Sequence, residues 1–424
     1  MKPHIATDTH PWRWIPSLYF VQGLPYMAAM TLSVVLYKNL GVDNATLALA
    51  TSWLYLPWVI KPLWSPLLEL FGAKRRWVLA LQWVSGVVFA LLALALPLPQ
   101  AWQLTLALFW LLAFASATHD IAADGFYLLA LPERQQSAFS GVRGTAWRLA
   151  SIAAQGGLVT LAGLLQTRWG DARLAWQVVF GLLAALFVAA ATYHAWSLPR
   201  PLLDAPAPRR GSHWQGFVEV WRAFFRKPGI GAILAFLLLF RFGEAQSLKM
   251  VAPFLLDARS VGGLGLGTAE LGVAYGTVGV AALTLGGLLG GWLVSRHGLK
   301  AWLWPMVAAV HLPNLVFVAL AAWQPQGVAV VAGGLALEQF GYGFGFTAFM
   351  LAMIQFAQGP HRTAHYAICT GFMALGMMLP GMASGWLQQQ LGYLHFFAWV
   401  CVATLPSFVV AARVRFEPGF GRRG

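Results

Sequence analysis

Apolar residues fill this 424-residue chain in long, nearly unbroken blocks, and the polar positions gather in short connectors between them. A helix that crosses a bilayer needs about 20 mostly apolar residues. By that rule the pattern predicts twelve spans, at about 15–37, 46–69, 76–97, 102–131, 138–165, 174–196, 229–256, 268–295, 301–323, 327–357, 363–388 and 393–412. The first block is too long for a signal-peptide core and no small-residue cleavage site follows it, so it is expected to be a retained span. The expected fold class is therefore all-α and integral to the membrane. Pro25, Pro57, Pro62 and Pro66 predict bent helices in the first two spans.

Composition narrows the class further. The chain is 59% apolar and 10% charged, against about 25% charged in a soluble domain. Its mean hydropathy is +0.65. Soluble globular enzymes, disordered chains, collagen-like repeats and disulfide scaffolds are all excluded. The net charge of +14 does not point to nucleic acid, because the basic residues sit in connectors and no contiguous soluble module could read a groove. With the N-terminus inside, nineteen Lys and Arg residues fall on the cytoplasmic side, among them Lys74, Arg76, Arg134, Arg209 and Arg422. Lys38, Arg168, Arg173 and Arg259 fall outside, and Lys61, Arg143, Arg148, Arg241 and Lys249 lie within spans. The positive-inside rule then predicts that both termini are cytoplasmic. Cys369 and Cys401 lie in apolar blocks and read as small hydrophobes. No metal-ligand cluster is expected, and the lipid bilayer is the expected surrounding.

The longest polar connector, 197–228, carries Pro199, Pro201, Pro206, Pro208, Arg209 and Arg210. It divides the chain into an N-terminal six-helix bundle (1–197), a cytoplasmic linker (198–228) and a C-terminal six-helix bundle (229–424). Within the linker, Trp214 to Phe225 reads either as a short helix on the inner membrane surface or as ordered linker. The halves show self-similarity. Aligning Gly298, after span eight, with Gly72, after span two, gives an offset of 226. Aligning Pro360-His361-Arg362 with Pro132-Glu133-Arg134 gives 228. Two landmarks at nearly equal offsets predict a duplicated six-helix unit.

The segment Trp64-Ser65-Pro66-Leu-Leu-Glu69-Leu-Phe-Gly72-Ala-Lys74-Arg75 and its counterpart Gly286-Gly-Leu-Leu-Gly290-Gly291-Trp-Leu-Val-Ser295-Arg296-His-Gly298 resemble the signature loop of the major facilitator superfamily. Glu69 stands where Asp is usual, Leu70 where a basic residue is usual, and Ser295 in the acidic position of the second copy. The resemblance implies two pseudo-symmetric bundles. It also implies a conformational latch at their cytoplasmic ends, formed by Glu69, Gly72, Arg75, Gly291, Ser295 and Arg296, in which small residues permit close helix packing.

Charges at bilayer depth are costly and mark function by default. Span four carries His119, Asp120 and Asp124, the two acids sharing one helix face. Asp120 lies 12 residues before Pro132, about 18 Å along a helix and near mid-membrane. Two carboxylates this close would not both ionise readily, so the pair can carry a proton. A static ion pair with span five is the alternative. Of the two arginines there, Arg148 lies deeper and is expected to face Asp120 or an anionic substrate, with Arg143 only a cytoplasmic-end charge. Arg241 and Glu244 in span seven can pair three residues apart, or contact substrate. Lys249 is read as snorkelling outward. Glu338 in span ten is an isolated carboxylate that needs neutralisation, pairing or water. The Gly341-x-Gly343-x-Gly345 run follows no strand and reads as close packing or a bend rather than a nucleotide loop. His119 reads as a proton-transfer aid or a hydrogen-bonding neighbour.

Tyr19-Phe20-Val-Gln22-Gly23-Leu24-Pro25, Lys61-Pro62-Leu-Trp64-Ser65-Pro66, Ser116-Ala-Thr-His119-Asp120-Ile-Ala-Ala-Asp124 and Trp147-Arg148-Leu149 are similar to motifs of the muropeptide permease (AmpG-like) family. The matches fall within about the first 160 residues. The resemblance implies proton-driven import of a small-molecule solute across a bacterial inner membrane, by a monomer with no cofactor beyond the coupling proton, with Asp120 and Asp124 as coupling groups and Arg148 beside them, through a cavity between the halves. The cargo would be a cell-wall muropeptide or similar bulky polar solute, or alternatively a siderophore or other solute of the superfamily. An integral-membrane enzyme using Asp120 and Asp124 on a lipid-linked substrate is the alternative of another class, and a sensing receptor a third.

Overall fold

A computed structural model describes residues 10–70, 73–201, 204, 213–417 and 419–422. Among the described residues it is helical throughout, with no strand. The helices follow the twelve apolar blocks. Spans one and three to nine are Pro11–Asn39, Lys74–Ala95, Ala101–Ala130, Arg134–Trp169, Ala172–Ser197, Ile230–Leu256, Thr268–His297 and Leu299–Trp323. Span ten is Val328–Phe356, and spans eleven and twelve occupy Arg362–Arg413. Nine helices among the described residues are individually long and apolar enough to cross a bilayer, the 52-residue one holding two spans. Span two falls short because it is split into Asn44–Trp53 and Leu56–Leu70. Span ten is long enough, but its apolar character is diluted by Glu338, Gln339 and its glycines.

The irregularities have local causes. Pro25 lacks an N–H, and a π-helical segment at Ala28–Leu32 follows it. Span two breaks at Leu54–Tyr55, just before Pro57, whose ring crowds the preceding turn. Its start is capped by Asp43, which accepts from the Thr46 amide at 3.0 Å. Spans eleven and twelve join without a loop, bending at Gly392, whose φ of 69° favours glycine.

The helices cluster into two compact units. One holds the described residues of 1–33 and 63–211, the other those of 34–62 and 212–424. The first has a core of Trp14, Leu18, Phe126 and Tyr127, with the Trp14 and Phe126 rings edge-on at 5.4 Å. The second has a core of Phe236, Phe240, Met306, Phe349 and Phe356. The end of span one and the first part of span two thus pack with the C-terminal spans. Glycines make this approach possible: a Cβ at Gly385 would lie 1.9 Å from the Asn44 carbonyl oxygen, and one at Gly371 2.8 Å from that of Val59. The connector helix His213–Phe225 also belongs to the second unit, where Phe224 is fully buried and stacks on Phe372 at 6.2 Å.

The glycine run of span ten is a packing device. Gly341 and Gly345 share a face against span nine, where a Cβ would lie 2.3 Å from Ala309 O and 2.2 Å from Met306 O. Gly343 faces span eight, 2.0 Å from Leu283 O by the same measure. Gly286 and Gly290 of span eight meet span ten from the other side, at 2.1 Å from Phe340 O and 2.7 Å from Thr347 Oγ1. Gly291, expected to provide close packing in the latch, faces open space. Overpacking a tight contact costs about 1–3 kcal/mol. Gly343→Ala is therefore expected to lower the thermal unfolding midpoint in detergent, whereas Gly291→Ala leaves it near the wild-type value.

Candidate functional site

The first unit gathers its intramembrane charges around span four. Asp120 and Asp124 point to the same side, and span one meets them with residues three apart. Gln22 Nε2 donates to Asp120 Oδ1 at 2.9 Å, and the Tyr19 hydroxyl donates to Asp124 Oδ1 at 3.2 Å. Span five supplies the cation. Arg143 Nη2 lies 2.8 Å from Asp124 Oδ1, and its guanidinium covers the rings of Tyr19 at 4.6 Å and Tyr127 at 5.4 Å. Asp120 is also within electrostatic reach of Arg143. The Arg143 and Asp124 side chains remain 35% and 42% exposed, so the pair is bonded without being enclosed in the packed interior.

This arrangement corrects the choice between the two arginines. Arg143, not Arg148, holds the acid. The reason is register: spans four and five run antiparallel from the turn at Leu131–Pro132, and Arg143 comes level with Asp120 and Asp124. Arg148 lies about 7 Å deeper. Arg148 is half-buried, with no carboxylate within 4.0 Å among the described residues. Tyr19 and Gln22 stood in a quoted motif, but nothing in the sequence assigned them to the two acids.

His119 faces away from the acids. It is buried, and its Nε2 lies 3.3 Å from Gln82 Nε2. Gln82 Oε1 lies 2.9 Å from His194 Nδ1, and His194 Nε2 lies 2.9 Å from Ser17 Oγ. If the Gln82 amide donates to His119 and accepts from His194, and Ser17 donates to His194, the contacts along the chain are mutually consistent. Four spans are joined by this polar chain, and Gln82 and His194 carried no sequence signal.

In the second unit, span seven breaks at Phe240–Arg241, and Arg241 adopts φ −108° and ψ 17° at the N-cap of the helix Phe242–Leu256. Glu244 sits in that helix's first turn, where its charge suits the dipole. The two pair in a fork, Nε to Oε2 at 3.1 Å and Nη2 to Oε1 at 2.6 Å. Arg241 Nη2 also donates to the Tyr342 hydroxyl at 2.6 Å, and the guanidinium lies 4.8 Å from the Phe346 ring. Glu338 is buried and accepts from Gln339 Nε2 at 2.8 Å, with no cation within 4.0 Å among the described residues.

Residues 17–359 match the Major Facilitator Superfamily. The chain belongs to that superfamily. It is 28% identical over 361 residues to the anhydromuropeptide permease of Escherichia coli (strain K12), covering 83% of this chain and 69% of that one. It is 22% identical over 407 residues to the putative transporter AmpG 2 of Rickettsia typhi (strain ATCC VR-144 / Wilmington), covering 92% of each. Among solved structures it resembles a bacterial homologue of the human lysosomal transporter Spinster in an inward-facing, unoccupied conformation. The TM-score is 0.69 at 14% identity, covering 97% of this chain and 100% of that one. The nucleoside transporter NupG matches with TM-score 0.65 at 17% identity, covering 95% and 98%. This superfamily member is a multi-pass membrane transporter related to the AmpG muropeptide permease. It is not an enzyme, so chemistry on a lipid-linked substrate falls away.

Its signature-loop residues make local contacts. Glu69's side chain and Gly72 lie outside the described residues. Arg75 Nη2 donates to the Ala195 carbonyl and Nε to that of Leu198 at 3.3 Å, satisfying the end of span six. Asp204 accepts from the Lys74 and Arg75 amides at 2.7 and 2.9 Å, capping span three. Arg296 lies 4.1 Å over the Trp292 ring, and Ser295 donates to Trp292 O at 2.7 Å.

Removing one partner of a buried, bonded ion pair costs about 3–5 kcal/mol, because the other charge is stranded. Arg241 and Glu244 side chains are 8% and 3% exposed. Glu244→Met or Arg241→Met alone is expected to destabilise the transporter strongly, and the double substitution to recover most of the loss, read by thermal unfolding in detergent.

Proposed function

We propose that the chain is a proton-coupled importer of anhydromuropeptides, working as a monomer by alternating access in a bacterial inner membrane with both termini cytoplasmic and no cofactor beyond the proton. One observation carries the coupling: Asp124 holds Arg143 and Tyr19 at once, while Asp120, one turn away, holds Gln22. Protonating Asp124 removes the charge that holds Arg143, so proton uptake frees span five from spans one and four. Deprotonation restores the tie. A switch of this kind needs a carboxylate that water can reach and a partner that only the ionised form binds well, and the partial exposure of both side chains meets that need. Relatedness to the anhydromuropeptide permease supports the cargo.

Reconstituted protein is expected to accumulate labelled anhydromuropeptide in vesicles under an imposed pH gradient. An uncoupler should abolish accumulation. Asp120→Asn and Asp124→Asn should each reduce it by about tenfold or more, a loss of about 1.4 kcal/mol or more in the transport step. Accumulation that survives both the uncoupler and the substitutions would remove the proton from the mechanism. Accumulation of a ferric siderophore in place of anhydromuropeptide would change the cargo.

A further inference from the structure

Lys249 does not snorkel. It lies in the helix Phe242–Leu256, is 4% exposed, and its Nζ donates to Thr51 Oγ1 at 3.1 Å. The ammonium lies 5.1 Å from the Tyr55 ring centroid. Among the described residues no carboxylate comes within 4.0 Å of it. Both acids that flank it on span seven are committed elsewhere. Glu244, five residues before, is forked to Arg241. Asp257, eight residues after, holds Lys38 at 2.6 Å, accepts from the Tyr393 hydroxyl at 2.5 Å and accepts from Asn44 at 3.2 Å. An ammonium carries three protons, and a single neutral hydroxyl is a poor substitute for an anion in an apolar surrounding.

The neighbourhood is tightly packed and holds a second donor. Ser52 Oγ is fully buried and has no hydrogen-bond partner among the described residues. Ser52 Oγ and Lys249 Cγ both face Gly381, where a Cβ would lie 2.7 and 3.3 Å away. The cluster around Asp257, reinforced by Asn44 donating to Gln388 at 2.7 Å, lies about 12 Å beyond Lys249 along span seven. It ties the start of span two to the end of span seven and to the junction of spans eleven and twelve.

We propose that Lys249, assisted by Ser52, is the anchor for a carboxylate of the transported solute, reached when the segment Asn44–Trp53 parts from span seven and Thr51 gives way to the solute anion. The proposal rests on the anhydromuropeptide reading, since the peptide portion of that cargo supplies carboxylates. Thr51 acts as a weak placeholder, and the Asp257 cluster closes the site on that side.

The test uses two labelled probes with purified full-length protein in proteoliposomes: anhydromuropeptide with free peptide carboxylates, and the same compound with those carboxylates amidated. The wild type is expected to favour the acid by about tenfold or more in KM, as for one charge-assisted contact. Lys249→Gln should bring the acid-to-amide ratio near one, Lys249→Arg should retain part of it, and Ser52→Ala should reduce it by about threefold. Size-exclusion profiles identify any variant that fails to fold, in which case Lys249→Arg and Ser52→Ala carry the comparison. A wild type that does not discriminate, or variants that impair both probes equally, would overturn the assignment. A wild type that carries neither probe overturns the cargo reading and this anchor together, and does so before any variant is compared.

Discussion

Charge at bilayer depth must find a partner, and in this transporter that demand sets which helices stay together. An ionised side chain in hydrocarbon is costly, so each one recruits a neighbour of opposite sign, a donor or an aromatic face. Arg143 finds Asp124 and two tyrosine rings, binding spans one, four and five. Arg241 finds Glu244, Tyr342 and Phe346, binding the broken span seven to span ten. Asp257 finds Lys38, Tyr393 and Asn44. These ties differ in depth and exposure. The Arg241 pair is almost fully enclosed, while the Arg143 pair is partly exposed, as the proposed release requires. Burial separates a permanent bond from a switch more clearly than residue type does.

Close packing supplies what polar ties cannot. Lipid tails are as apolar as leucine, so association inside the membrane relies on van der Waals fit. Span ten meets that requirement on two faces, with Gly341 and Gly345 against span nine and Gly343 against span eight. The buried carboxylate Glu338 sits one turn before this run, so the same helix holds both tight backbone contacts and an isolated polar group.

Much of the fold was legible because bilayer thickness imposes a length that any long apolar block reveals. The twelve spans, the irregularities at Pro25 and Pro57 and the packing role of the glycine run could be read from residue type and spacing, whereas the helix Leu56–Leu70 runs on through Pro62 and Pro66. The face shared by Asp120 and Asp124 follows from a four-residue step. Pairing between helices was harder. Choosing Arg143 over Arg148 requires counting both spans from their shared turn, since Asp120 lies 12 residues before Pro132 and Arg143 lies 11 after it, rather than favouring the deeper cation. Gln82 and His194 are single polar residues in apolar blocks, and only the packing of spans one, three, four and six joins them to His119. Lys249 looked like a snorkelling cation because its position near a helix end was visible, whereas the overlying segment of span two was not. The small residue of the second signature loop was placed at Gly291, one position beyond Gly290, which makes the contact; a shift of 100° on a helix separates the two roles.

The membership of residues 34–62 in the second unit bears on how the gene could be divided. The proline-rich connector between spans six and seven is the natural place to cut the polypeptide into two coexpressed fragments. The N-terminal fragment would then carry an arm that has no dock, and the C-terminal fragment would present Gly371, Gly381 and Gly385 as an unfilled groove. The arm comes from one side only, so the C-terminal fragment would need the N-terminal fragment to supply residues 34–62 before its own unit is whole.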